Sequence, residues 1–292
     1  MRLADPAVKA HVAFVDYNRL WPLFNDFRFA MSPENSSPAN EAQRRSASYR
    51  LAELDSDFLL GESMRRMRLQ LEYAKVEDCL RAWGIRSTIV VFGGGRISED
   101  GPPQHRTWYQ QARAFGRIAS QRGGATGANG GARDNVIATG GGPGLMEAAN
   151  RGAADAGAPS IGFNIALVPE QQPNPYSTPE LTFRFQYFAI RKLHLAMRAN
   201  ALLVFPGGFG TLDEMFELLT LKQTGKTAPI PIVLFDEAYW RSVVNFDRLV
   251  ETGTIVRDEL SLFEFADDPE AAWNCIGRSL SQSKSTKRVG AP

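Results

Sequence analysis

Pro206-Gly207-Gly208-Phe209-Gly210-Thr211-Leu212-Asp213-Glu214 puts flexible backbone donors, a hydroxyl and a carboxylate into one short stretch. The apolar run 201–205 before it reads as a buried parallel strand. After it, Leu212, Met215, Phe216 and Leu219 share one helical face. A strand, a glycine turn and a helix aim free N–H groups and the positive end of a helix dipole at an anion. Gly207, Gly208 and Gly210 let a phosphate approach the backbone, where a Cβ would block it. Thr211 reads as the helix N-cap, with a hydroxyl to spare for a phosphate oxygen. Glu214 then falls at the third helical position. Spacing alone favours the second half of a capping box. The competing reading is a carboxylate beside a bound phosphosugar, placed for acid–base or charge-stabilising work.

A second cluster shifts that balance. Residues 136–139 read as another strand, followed by Gly140-Gly141-Gly142-Pro143-Gly144 and a helix, with Pro143 suited to its first turn. Glu147 lies one turn into this helix, as Glu214 does in the other. Open parallel sheets bind ligands at the carboxyl ends of their strands, so the two turns are expected to border one crevice.

The pair 140–153 and 206–214 resembles the LOG (Lonely Guy) family of nucleotide phosphoribohydrolases, whose members are often labelled lysine decarboxylases. The resemblance runs from about Tyr49 to Ala272 and takes in the segments 88–96, 186–192, 221–226 and 231–235. It implies hydrolysis of the N-glycosidic bond of a nucleoside 5′-monophosphate, of the AMP or cytokinin ribotide class, to free base and ribose 5-phosphate. It maps a ligand-contacting arginine onto Arg191 and the neighbouring lysine onto Lys192. A charged pair on a helix is otherwise simply a solvated face. Adjacent helix residues point about 100° apart, so Arg191 ranks above Lys192. Many relatives carry a serine within the turn that is Gly93-Gly94-Gly95 here, so no hydroxyl is expected from it; Arg96 behind it is a third candidate cation.

The implied site has Glu214, Arg191 and Glu147 as catalytic groups. Gly207, Gly208, Gly210, Thr211, Gly141, Gly142, Gly144, Lys192, Gly94 and Arg96 hold substrate and phosphate. Which glutamate does which job stays open. Neither a metal nor an organic cofactor is implied: His11, His105 and His194 are scattered, and nothing around Lys192 suits a pyridoxal-phosphate ring. Relatives in the wider superfamily use a similar turn to hold the molybdenum cofactor, so a nucleotide or molybdenum-cofactor carrier is the alternative. A nucleotide-sensing regulatory module is a third reading. Retention of both glutamates with Arg191 favours the enzyme.

Composition narrows the partners. The 292 residues carry 33 basic and 32 acidic side chains, a formal net charge of +1, which argues against a general nucleic-acid binder. No apolar run approaches the ~18 residues a membrane span needs. Cys79 and Cys275 lack a paired motif and suit a reducing cytoplasm. Gly225-Lys226-Thr227 ends like a nucleotide-binding P-loop, but the position where its first glycine belongs is Thr220.

The elements predict an α/β fold, a three-layer Rossmann-like, mostly parallel sheet with helices on both faces, plus an N-terminal helical extension. Residues 1–82 form the extension, with an amphipathic helix over 62–82 whose apolar face is Met64, Met67, Leu71 and Ala74. Residues 83–280 form the nucleotide-binding catalytic domain, and 281–292 a disordered tail. A glycine-rich excursion, 122–133, precedes the second strand, and a proline-rich rim loop spans 168–176. A single helix is expected over 237–251. The resemblance implies at least a homodimer with sites near the subunit boundary. Phe183, Phe185, Tyr187 and Phe188 form an aromatic cluster that either lines that boundary or fills the core.

Overall fold

The structure is a computed structural model that describes residues 38–127, 131–168 and 172–278. The first 37 residues of the extension, the tip of the glycine-rich excursion and the tail 281–292 fall outside the described residues. The chain forms two compact units, Met1–Gly61 and Glu62–Pro292. The first holds short helical turns, among them Glu41–Arg45 and Ser56–Leu60, the latter capped by Asp55, which accepts from the Phe58 N–H at 3.2 Å.

In the second unit seven strands form one sheet: β1 Thr88–Phe92, β2 Val136–Thr139, β3 Ser160–Ile165, β4 Thr182–Phe185, β5 Ala199–Val204, β6 Ile232–Phe235 and β7 Glu264–Ala266. Every neighbouring pair is parallel, in the order β4-β3-β2-β1-β5-β6-β7. Parallel neighbours need crossovers: α1 Arg65–Ala82 precedes β1, helices α2 Pro103–Gly123, α3 Leu145–Asp155, α4 Phe188–Met197, α5 Phe209–Gln223, α6 Glu237–Val243 and α7 Phe246–Glu251 lie between strands, and α8 over 269–278 follows β7. The strands are buried on both sides, as their unbroken apolar runs require. Ile89 and Val91 pack with α2, α3 and α8, while Val90 and Phe92 pack with α1, α4 and α5. The connection reverses direction between β1 and β5, so the carboxyl ends of those two strands form the topological switch point.

Several expectations shift. Helix α1 belongs to the unit that carries the sheet, and its buried residues are Val76 and Leu80. Met67 and Leu71 are exposed, because α1 packs on the core through its later turns. Residues 237–251 break into two helices, since Val244 is extended and Asn245 caps the second by accepting from the Arg248 N–H at 2.9 Å. Phe183 and Phe185 are buried against Phe163, so these two rings fill the core, while Phe188 is half exposed.

Candidate active site

Three glycine turns meet at the switch point because β1 and β5 end in register, Phe92 opposite Val204. The Gly94 N–H donates to the Pro206 carbonyl at 2.9 Å, and the Gly94 carbonyl accepts from the Leu145 N–H at 3.3 Å. One residue therefore ties the start of α5 to the start of α3. A Cβ on Gly144 would run into the backbone of Gly94 and Gly95, and Gly144 has φ +72°, so this position requires glycine twice over.

The turn after β5 differs from the sequence reading in register. Helix α5 begins at Phe209 with Gly208 as its N-cap, and no side chain caps it. Thr211 is thus the third helical residue and Glu214 lies in the second turn, which removes the capping-box role expected of that pair. Likewise α3 starts at Leu145 with Gly144 as its N-cap, so Pro143 lies outside its first turn. The N–H groups of Phe209, Gly210 and Thr211 have no intrahelical acceptor. Gly207 is structural: a Cβ there would strike the Thr211 hydroxyl and come within 3.0 Å of the Gly94 nitrogen. Gly208 and Gly210 have only open space before them. Their missing side chains serve nothing inside the protein and leave room for an anion.

That contrast yields an expected result. Gly210→Ala replaces a helical glycine by the best helix former, worth about 1 kcal/mol. The variant should melt no lower than the wild type, yet bind inorganic phosphate at least about tenfold more weakly. Thermal melts and calorimetric titration check both halves.

Glu214 and Arg191 form an ion pair, Arg191 Nη1 to Glu214 Oε1 at 2.8 Å, with side chains only 9% and 11% exposed. Arg191 Nε donates to the Phe163 carbonyl at 2.6 Å, and Nη2 presses against Gly140, where any Cβ would collide with it. The guanidinium is therefore packed against the turn after β2 while holding the carboxylate that follows the turn after β5. Burial pushes the Glu214 carboxyl up to about 7, and the attraction of Arg191 opposes this without cancelling it. Helix α4 is itself anchored from α1: Glu72 accepts the Gln186 N–H at 2.7 Å and the Tyr187 N–H at 3.3 Å, and Arg198 pairs with Glu77 at 2.7 Å.

The turn after β2 is braced from within. Gly141 donates to the Thr139 hydroxyl at 2.9 Å, and its carbonyl accepts from the Asn174 N–H at 2.9 Å and Asn164 Nδ2 at 3.1 Å. Asn174 Nδ2 also reaches the Gly142 carbonyl and Asn150 Oδ1. The proline-rich rim loop thus works as a brace for the turn. Tyr239 supports the other turn, its hydroxyl donating to the Gly207 carbonyl at 2.8 Å.

The remaining candidates separate. Glu147 is held by Tyr109, whose hydroxyl donates to Oε1 at 2.8 Å, on the opposite face of the sheet from α5. No hydrogen bond or ion pair joins Glu147 to Glu214 or Arg191 among the described residues. Lys192 pairs with Asp213 at 2.6 Å and Glu217 at 3.1 Å. Burial depresses its ammonium, and those two hydrogen bonds outweigh burial and raise it. Its charge is engaged with α5, unlike the free amine that Schiff-base chemistry needs. Arg96 is exposed beside the first turn. Tyr109, Asn164, Asn174 and Tyr239 escape sequence reasoning because each is distant along the chain from the turn it serves.

Parts of the chain are similar to known proteins. A family model described as "Possible lysine decarboxylase" matches residues 146–276. The chain is 29% identical over 136 residues to a probable cytokinin riboside 5′-monophosphate phosphoribohydrolase, LOG4, of Oryza sativa subsp. japonica. That match covers 46% of this chain and 58% of the rice protein. It is 38% identical over 66 residues to the cytokinin riboside 5′-monophosphate phosphoribohydrolase LOG1 of Arabidopsis thaliana, covering 22% and 31%. These matches support the resemblance to the LOG family. The chain spans less than two thirds of the length of these curated relatives. Among solved structures, the molybdenum cofactor binding protein from Rippkaea orientalis aligns over 67% of this chain and 98% of its own, at 18% identity and a TM-score of 0.46. At that distance the likeness carries no argument about ligands. Among the described residues no helix is long and apolar enough to cross a membrane.

Proposed function

We propose that this chain, like the LOG proteins it resembles, hydrolyses the N-glycosidic bond of a nucleoside 5′-monophosphate, of the AMP or cytokinin ribotide class, releasing free base and ribose 5-phosphate. The observation that carries the reading is the buried Arg191–Glu214 pair set between two glycine turns at the switch point. The 5′-phosphate sits on the free N–H groups at the start of α5, with Gly208 and Gly210 giving it room and Thr211 offering a hydroxyl. The bond from C1′ to the base nitrogen breaks, and its electron pair leaves with the base. The positive charge left on the sugar is stabilised by the Glu214 carboxylate. Water adds its oxygen to C1′ and gives up a proton, and the base takes one up. Arg191 holds Glu214 in place and steadies charge as the base departs. A carrier needs only the cradle and gains nothing from a buried carboxylate beside it, which supports hydrolysis over the carrier reading. Incubation with a panel of nucleoside monophosphates tests the proposal: free base should appear from at least one, and silence across purines and pyrimidines would return weight to a carrier.

The same reading includes a homodimer or larger homo-oligomer working without nucleic acid or membrane, in the cytoplasm. Phe188, Leu193 and Met197 on α4 and Met67 and Leu71 on α1 are all more than two-fifths exposed, more apolar surface than an isolated helix pair needs to show. Light scattering at micromolar concentration should give at least a dimer mass, reduced by Phe188→Asp. A wild-type monomer would remove this part of the proposal.

A further inference from the structure

Tyr109 has no part in any glycine turn, yet its hydroxyl reaches the start of α3. The side chain comes from α2, is 2% exposed, and donates to Glu147 Oε1 at 2.8 Å. A phenol has a single hydrogen, and here it goes to Glu147. Arg151, one turn on in α3, is held by Glu99 at 2.7 Å and by the Tyr176 ring, 5.2 Å from the guanidinium carbon. Burial pushes the Tyr109 phenol up to about 12, so it stays a donor at any working pH. Glu147 is pinned through Oε1, while Oε2 has no hydrogen-bond donor among the described residues.

We infer that Glu147, positioned by Tyr109, receives the ribose hydroxyls and makes the site select ribosyl over 2-deoxyribosyl phosphates. This rests on the reading of the α5 start as the phosphate cradle. Gly94 bridges the starts of α5 and α3 by one hydrogen bond to each, so a sugar one carbon away from a phosphate on α5 lies over Gly94, toward Glu147. A carboxylate oxygen without a protein donor is the natural acceptor for a hydroxyl there. Tyr109 is a positioning residue in this scheme; it touches Glu147 and not the sugar.

Calorimetric titration with ribose 5-phosphate, 2-deoxyribose 5-phosphate and inorganic phosphate tests the assignment without relying on turnover. The wild type should prefer ribose 5-phosphate over its deoxy analogue roughly 10- to 100-fold, the range of a hydrogen bond to a charged group. Tyr109→Phe keeps the ring in the core and should lose about tenfold of that preference while binding inorganic phosphate as before. Glu147→Gln, on the half-exposed helix start, should do the same, and the double variant should be no worse than Glu147→Gln alone. Equal binding of the two sugars by the wild type, full preference retained in Tyr109→Phe, or a parallel loss for all three ligands would overturn the inference. The two readings fail separately. Ribosyl preference without base release from any nucleotide would sink the hydrolase and leave this subsite standing. Base release with no ribosyl preference would do the reverse.

Discussion

Glu214→Gln should cut turnover on the preferred nucleotide by ~100-fold or more while the protein stays folded. The substitution keeps the shape and an acceptor for Arg191 Nη1, now 2.8 Å from Oε1, and removes only the charge. Because Gly208 caps α5, Glu214 has no helix-starting duty whose loss could mimic the effect. The pH profile sharpens the test. Burial raises this carboxyl to about 7, so the ionised, charge-stabilising form fades below neutrality. Wild-type kcat/KM should climb toward a bend near that pH. The second ionisation of the substrate phosphate, near pH 6, adds a lower bend common to both enzymes. Glu214→Gln should keep only the lower one.

The same shift has a stability signature of fixed sign. A carboxyl raised on folding contributes stability that is complete below its unfolded value of 4.5 and lost as pH rises through about 7. The stability of the wild type relative to Glu214→Gln should therefore fall by about 3 kcal/mol between pH 4 and pH 8. Denaturant melts of both proteins across that range read it directly. A constant difference would mean that Glu214 titrates alike in the folded and unfolded chain.

Arg191→Met is expected to be the more damaging change. It strips the partner from a carboxylate that is 11% exposed and leaves the Phe163 carbonyl without its donor. Breaking one side of a buried pair costs about 3–5 kcal/mol. The cost should be largest at pH 8 and shrink toward pH 5, where Glu214 takes up a proton and no longer needs a counter-charge. Activity should fall with it, and Arg191→Lys should not restore it. A single ammonium cannot serve Phe163, Glu214 and the face of Gly140 together, as the planar guanidinium does. Recovery of most of the rate in Arg191→Lys would show that only a positive charge is required.

The sequence made the parallel sheet legible because its central strands are buried on both faces and read as unbroken apolar runs. The two glycine turns stood out for the same local reason, since their residue types answer to backbone geometry. Strand β7 was hidden by its brevity and by its leading glutamate. Thr211 looks like a cap in the sequence, whereas α5 begins at Phe209 with Gly208 as a backbone N-cap, which residue type alone does not reveal. The pairing of Arg191 with Glu214 rather than with solvent depends on how α4 and α5 meet across the sheet end, which no spacing reports. The divergence of Glu147 from Glu214 has the same origin: α3 and α5 lie on opposite faces, so matching positions in two matching turns acquire different partners.

Hydrolysis in ¹⁸O-labelled water tests the central claim most directly. With the preferred nucleoside 5′-monophosphate, each turnover should release one free base and one ribose 5-phosphate carrying the label at C1, with the phosphate ester unlabelled. The matching nucleoside, which lacks the group the α5 cradle holds, should react far more slowly. Label in inorganic phosphate, or equal rates on nucleoside and nucleotide, would contradict the assignment of Glu214 and Arg191 to the glycosidic bond and of the cradle to the 5′-phosphate.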